Sequence, residues 1–380
     1  MKSRLALIVG VTLVGACTDS PTSITNDEIS TSASRATVDG TSTARWNRKA
    51  MALFRARGGN AGRVNAYFSL AQYRAALAAD EAKHGRNQPS LAAAVAAASA
   101  VVLKQFYPLD AGSIDAELAA QRTESPSASE HSKDFNAGEV IGQQAAAAVL
   151  ALAATDNFGT TSPGAPPTGP GRWVSSGAPI VRGGLGARPF FLSSGSELRL
   201  PPPPAFGSPE FLAALAEVRA FSDTRTAEQI AITLAWVPFS GVVFNGVATD
   251  LLDKYHRSEL ESARILAYAN AAAFDAIIAC FDTKFAYWFI RPTQADPGIT
   301  LATGLPNHPS YPSAHSCETG AFEGVLADAF PAERGYLADV AQEASMSRVF
   351  GGLHYRFDGE GGLAIGHAAA SLALQRRGLE

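Results

Sequence analysis

Cysteine is scarce, with 3 in 380 residues. That excludes a disulfide-built scaffold and a Cys-rich zinc centre, so any metal chemistry must draw on other ligands. Charge is sparse too, at 17% of residues, and it shows no basic excess: 31 Lys plus Arg stand against 35 Asp plus Glu, a formal net charge of −4. Nucleic acid is therefore not an expected partner, because phosphate contacts need clustered cations. No segment has 18 consecutive apolar residues, and the chain carries no internal repeat and no Gly-rich dinucleotide or P-loop fingerprint. Period-2 alternation of β-branched residues is rare as well. What is abundant is apolar residues, at 47%, enough to bury a sizeable core.

Residues Met1 to Cys17 have the layout of an export signal: Lys2 and Arg4, then an apolar run too short for a comfortable membrane span, then small residues. The end, Val14-Gly15-Ala16-Cys17, resembles the lipobox of bacterial lipoproteins, which implies a signal peptide over 1–16 and lipid attachment at Cys17. An ordinary secretory signal cut nearby fits the same residues. Either reading predicts export, and the first predicts a lipoprotein facing the periplasm or cell exterior whose membrane contact is the N-terminal anchor alone. Residues 17–44, rich in Ser, Thr and Asp, read as a flexible tether; the folded domain is expected over 45–380, opening near Arg45-Trp46.

Beyond the tether the signal is helical. Ala-rich stretches at Ala61–His84, Ser90–Tyr107 and Glu139–Ala154 set apolar residues among good helix formers. Further helices are predicted at Ser208 onward, with Ser208 as N-cap and Pro209 as the first helical residue, and at Thr224–Trp236, Glu259–Tyr287, Ser313–Phe330, Glu333–Val349 and Gly362–Arg377. Between Thr155 and Ser208 a Pro/Gly-rich stretch, including Pro201 to Pro204, cannot be regular helix; a loop of that length usually covers something. The expected architecture is an all-α bundle with one long loop.

The chemistry concentrates at the C-terminal end. Four of the seven histidines, His308, His315, His354 and His367, fall in the last 73 residues. Lys284, Arg291 and Arg348 gather around His315 and His354, and Ser313-Ala314-His315 opens a predicted helix. Fixed cations, a hydroxyl and the N–H groups of a helix start are what a tetrahedral oxyanion requires. Singly, each of these residues reads as a surface charge or a core histidine; together they read as a site.

The order Lys284, six residues, Arg291-Pro292; nineteen residues, Pro312-Ser313-Ala314-His315; 31 residues, Ser347-Arg348, five residues, His354, three residues, Asp358 resembles the three-part signature shared by vanadium-dependent haloperoxidases and type 2 phosphatidic acid phosphatases. The blocks around Lys284–Pro292 and Ser347–Asp358 look like the soluble haloperoxidase branch, as do Arg172-Trp173, Pro189-Phe190 and Arg225-Thr226. The one departure is Ala314, where family members usually carry Gly; Ala serves if φ stays negative.

The resemblance implies that Lys284, Arg291, Arg348, Ser313 and the Ala314 N–H bind vanadate oxygens. His354 would bond vanadium, with Asp358 behind it, and His315 would act as acid and base. Hydrogen peroxide would be activated with the help of Lys284 and would oxidise halide to a hypohalous species that reaches a small organic acceptor. His308 occupies a position where bromoperoxidases tend to have His, implying bromide or iodide before chloride; alternatively it is a surface residue touching nothing. In a phosphatase the cofactor site would hold phosphate, with His354 as nucleophile and His315 protonating the leaving alcohol. A third reading is an oxyanion-binding lipoprotein without catalysis.

Cys280 and Cys317 flank the site and could be bridged or be buried free thiols. Tyr287, Trp288, Phe289 and Phe350 could line the pocket or be core, and Asp275 and Asp282 could offer carboxylates behind it. His367 reads as structural.

Overall fold

Each helix predicted from the sequence is present, and the capping residues show why several start where they do. The computed structural model describes residues 40–82, 88–124, 133–238 and 240–379. The proposed leader, Cys17, most of the predicted tether, His84 and His131 lie outside the described residues. Among the described residues there are thirteen α-helices and no strands. They are α1 (Ser42–Arg57), α2 (Ala61–Glu81), α3 (Leu91–Phe106), α4 (Ala111–Thr123), α5 (Phe135–Ala154), α6 (Pro209–Thr224) and α7 (Ala227–Ala235), then α8 (Ser240–Lys254), α9 (Glu259–Tyr287), the single turn α10 (Pro292–Ala295), α11 (Ala314–Ala329), α12 (Arg334–Phe350) and α13 (Arg356–Arg376).

Ser208 caps α6 and Pro209 is its first residue, as the sequence predicts. Thr226 with Gln229 and Ser258 with Glu261 form reciprocal capping boxes on α7 and α9, satisfying first-turn N–H groups that would otherwise lack partners.

α9 is the central helix. It packs on α2 on one side and on α11 and α13 on the other, and the pairs α3–α5 and α11–α13 complete two bundles that share it. By length and composition α5 and α9 could each cross a membrane, but α9 is almost wholly enclosed by protein. Its interior side chains Phe274, Ile277, Ile278 and Phe281 are worth roughly 1.5–3 kcal/mol each as burial. Glycine lets α11 and α13 approach closely: a Cβ on Gly366 would stand 2.5 Å from the Cys317 carbonyl oxygen, and one on Gly362 would stand 2.6 Å from that of Ser313.

Several elements differ from expectation: α4 was not predicted, and α5 starts at Phe135, ahead of Glu139. α1 starts at Ser42, ahead of the predicted domain edge at Arg45, because the Ser42 and Thr43 amides and the Thr43 hydroxyl bond the Glu259 carboxylate; hydroxyl-rich composition read as tether is here a packed helix start. α13 starts at Arg356, six residues before Gly362, because Asp358 accepts the Tyr355 N–H and closes the first turn. α8 was not anticipated at all.

The long loop from Thr155 to Ser208 does cover something. Its Gly171–Trp173 segment lies along residues 288–290: Trp173 N–H donates to the Trp288 carbonyl at 2.7 Å, and Ile290 N–H to Gly171 at 3.1 Å. Farther on, the Phe190, Phe191 and Leu192 amides all donate to the buried Asp275 carboxylate on α9 at 2.7–3.1 Å. The loop is thus fastened over the C-terminal half of the central helix.

Candidate active site

α9 carries Lys284 in its last turn and ends at Trp288, whose φ of 50° is left-handed and whose N–H returns to the Lys284 carbonyl at 2.8 Å. The chain then runs extended against the long loop and delivers Arg291. Ser313 caps α11, so Ala314 and His315 occupy its first turn. Ala314 keeps a negative φ, the condition under which Ala replaces Gly there. Arg348 closes α12, and His354 precedes the first turn of α13, which contains Asp358. Two helix C-terminal turns and two helix starts therefore bring together residues spread over 284–358.

Lys284, Arg291, Ser313 and Asp358 are completely buried, and Ala314, Arg348, His354 and His308 nearly so. His354 Nδ1 lies 2.8 Å from Asp358 Oδ2, and Arg291 Nη1 lies 3.1 Å from His354 Nε2. A guanidinium only donates, so Nε2 carries a lone pair and the proton sits on Nδ1, donated to Asp358. Burial, reinforced by Arg291 and Lys284, holds the ring pKa well below its ordinary value, so it is neutral. Asp358 Oδ2 also accepts from Ser310 Oγ at 2.5 Å; burial raises this carboxyl to about 6, and its Oδ1 has no partner.

Arg291 also donates to the carbonyls of His308 and Leu353 and to His308 Nδ1 at 3.1 Å. His308 is therefore no surface residue: its ring is held neutral by burial and packs its edge against Phe281. Lys284 Nζ donates to the carbonyls of Pro309, Ser310 and Pro312, fastening the segment before α11, and burial lowers its pKa to about 8. Arg348 donates to Ser347 Oγ and to the Thr233 carbonyl, and burial lowers it to about 10. His315, half-buried, places Nε2 2.9 Å from the Trp236 carbonyl; a carbonyl only accepts, so this nitrogen is protonated, and burial lowers the ring to about 3.

None of the three cations bonds a carboxylate in the cradle; their partners are carbonyls, a hydroxyl and ring nitrogens. Burying charge without compensation is costly, so this donor set fits a multiply charged oxyanion. A carboxylate-bound cation does not fit: no group of three or more His, Cys, Asp or Glu among the described residues could hold a metal ion.

Several expected neighbours are elsewhere. Asp275 holds the long loop and Asp282 pairs with Arg199, so neither carboxylate stands behind the cradle. Cys280 and Cys317 are buried free thiols, Cys280 donating to the Pro312 carbonyl, and no disulfide joins them. Trp288 and Phe289 belong to the core, Phe350 packs on Phe221, and Tyr287 donates to the Leu200 carbonyl. His367 pairs with Glu323 on the surface. The sequence reading missed Ser310 and the acceptors on α7; a backbone carbonyl leaves no trace in residue type, while Ser310 lies three residues before Ser313 and offered a hydroxyl to weigh.

Residues 264–378 match the family model described as the PAP2 superfamily. Among solved structures, a bacterial vanadium-dependent iodoperoxidase superposes with a TM-score of 0.73 at 21% identity, covering 94% of this chain and 98% of the other. Apo and holo forms of a bacterial vanadium-dependent chloroperoxidase give 0.63 and 0.62 at 17% and 16% identity, each covering 82% of this chain and 91% of theirs. A search among curated proteins found no match. The C-terminal region over residues 264–378 thus matches the PAP2 superfamily, and the chain has the helical fold of these bacterial vanadium-dependent haloperoxidases.

Proposed function

We propose that the cradle binds vanadate and that the protein is a haloperoxidase, using hydrogen peroxide to oxidise bromide or iodide in preference to chloride. The observation that carries this reading is the neutral His354, whose unprotonated Nε2 accepts from Arg291, beside buried cations of which none is hydrogen-bonded to a carboxylate. Bound vanadate would supply a Lewis acid that activates peroxide without itself changing oxidation state.

The chain's own residues do the rest. Asp358 fixes the His354 tautomer so that Nε2 faces the oxyanion. Arg291, Arg348 and Lys284 would hold the charged oxygens, Arg348 while keeping its Ser347 and Thr233 partners, and Ser313 with the Ala314 N–H would complete the donor set. His315 moves protons at the cradle mouth. His308 is neutral and bonded to Arg291, and it stands at the position from which the resemblance implies bromide or iodide before chloride.

The family match favours a second reading, a phosphatase in which phosphate takes the cradle and the same His354 Nε2 attacks phosphorus. Export and lipid attachment at Cys17 complete the proposal; the mass of the mature N-terminal peptide tests them.

The deciding experiment measures bromination of a phenol dye with peroxide and bromide, with and without added orthovanadate, beside phosphate release from p-nitrophenyl phosphate. Vanadate-dependent bromination that disappears in His354→Ala is expected. Phosphate release that vanadate inhibits, without bromination, would replace the first reading by the second.

A further inference from the structure

His315 and Glu318 stand one turn apart on α11, and both reach the junction of α7 with α8. His315 Nε2 donates to the Trp236 carbonyl, and Glu318 Oε2 accepts from the Gly241 amide at 2.7 Å and from Ser240 Oγ. Just upstream on α7 the Thr233 carbonyl accepts from Arg348 Nη2 at 2.8 Å. The end of α7 therefore holds two residues of the cradle, although no side chain of α7 or α8 belongs to it. We propose that Glu318 is a positioning residue: by tying down the start of α8 it keeps the Trp236 and Thr233 carbonyls where they orient His315 and Arg348.

Glu318 is almost completely buried and none of its hydrogen bonds comes from a cation, an expensive arrangement unless its acceptors are used. Its donors are a hydroxyl and an amide at the first turn of α8, where unpaired N–H groups favour an anion. The approach is close: a Cβ on Gly241 would come within 2.6 Å of Glu318 Oε1, so glycine is what lets the backbone lie against the carboxylate. A second tie runs from Trp236 Nε1 to Glu343 at 3.0 Å. Two carboxylates from two different helices thus fasten one turn. Burial raises Glu318 to about 7, while the Ser240 and Gly241 hydrogen bonds pull it down.

The catalytic half of the test rests on the proposed function; the spectroscopic half does not. In the full chain labelled with 15N-histidine, the His315 ring, assigned by its loss in His315→Gln, should show the Nε2-protonated neutral form and stay neutral through pH 5. Glu318→Ala should broaden or shift that signal, lower the bromination kcat at least tenfold and change the bromide KM less than twofold. Glu318→Gln retains an acceptor for the Gly241 amide and should recover kcat to within threefold of the unaltered protein. If Glu318→Ala does not fold, Gly241→Ala, which pushes on the same carboxylate, should perturb the His315 signal. An unchanged His315 signal in the folded Ala variant, or a Gln variant as impaired as Ala, would overturn the proposal; absence of bromination in the unaltered protein would leave the NMR comparison to decide it.

Discussion

His354 and Asp358, four residues apart across the start of α13, share one proton: Nδ1 donates to Oδ2 at 2.8 Å, and the opposite nitrogen of the ring, unprotonated, accepts from Arg291. The tautomer of one histidine is thereby set by a carboxylate that never reaches the cradle's interior. Asp358→Ala removes that control and frees the ring to take the other tautomer. Orthovanadate affinity, measured by calorimetry, is expected to fall about 10–100-fold.

Anion binding is expected to peak at intermediate pH. Lys284 is lowered to about 8, so it is cationic below that value and loses its charge as pH rises through it. Asp358 is raised to about 6, so it is a carboxylate above that value and loses the His354 proton bond as pH falls through it. Affinity for vanadate in the unliganded protein should therefore decline below about 6 and above about 8. A flat profile from pH 5 to 9 would contradict the assignment of these two groups.

Arg348→Ala should lower orthovanadate affinity by a factor of about 10–100, the worth of a charge-assisted hydrogen bond at about 1.5–3 kcal/mol. Arg348→Lys should recover only part of this, since a lysine cannot keep both the Ser347 and Thr233 partners while offering a donor to the anion. Equilibrium titration of the three proteins at one ionic strength checks the order.

Gly366→Ala should destabilise the protein by about 1–3 kcal/mol, because its Cβ would lie 2.5 Å from the Cys317 carbonyl oxygen on α11. Gly246→Ala on α8 has nothing within 4 Å and should raise stability by about 0.5–1 kcal/mol through helix propensity. Urea unfolding midpoints of the two variants should move in opposite directions.

The cradle was legible in the sequence because its side chains are chemically rare and their spacing is strict: Lys284, Arg291, His315, Arg348, His354 and Asp358 could be named from order alone. The helices were legible where Ala-rich periodicity was long, as in α9, or where a cap announced the start, as at Ser208. What escaped has a common cause. Thr233 and Trp236 act through backbone carbonyls, α13 is lengthened by Asp358 capping its own first turn, and Ser42 and Thr43 fold because of Glu259, more than two hundred residues away. Each depends on a partner that local composition does not reveal. Lys284 is the subtler case: the sequence names it as an oxyanion ligand, and in the structure it fastens three carbonyls of the chain leading into α11.

The central claim is that three buried cations and a bare histidine nitrogen form one oxyanion site. Calorimetric titration of the purified protein with orthovanadate near pH 7, beside His354→Ala, tests it most directly. The account predicts saturable binding of one equivalent per chain, weakened at least tenfold in the variant; no saturable binding, or equal binding by both proteins, would contradict it.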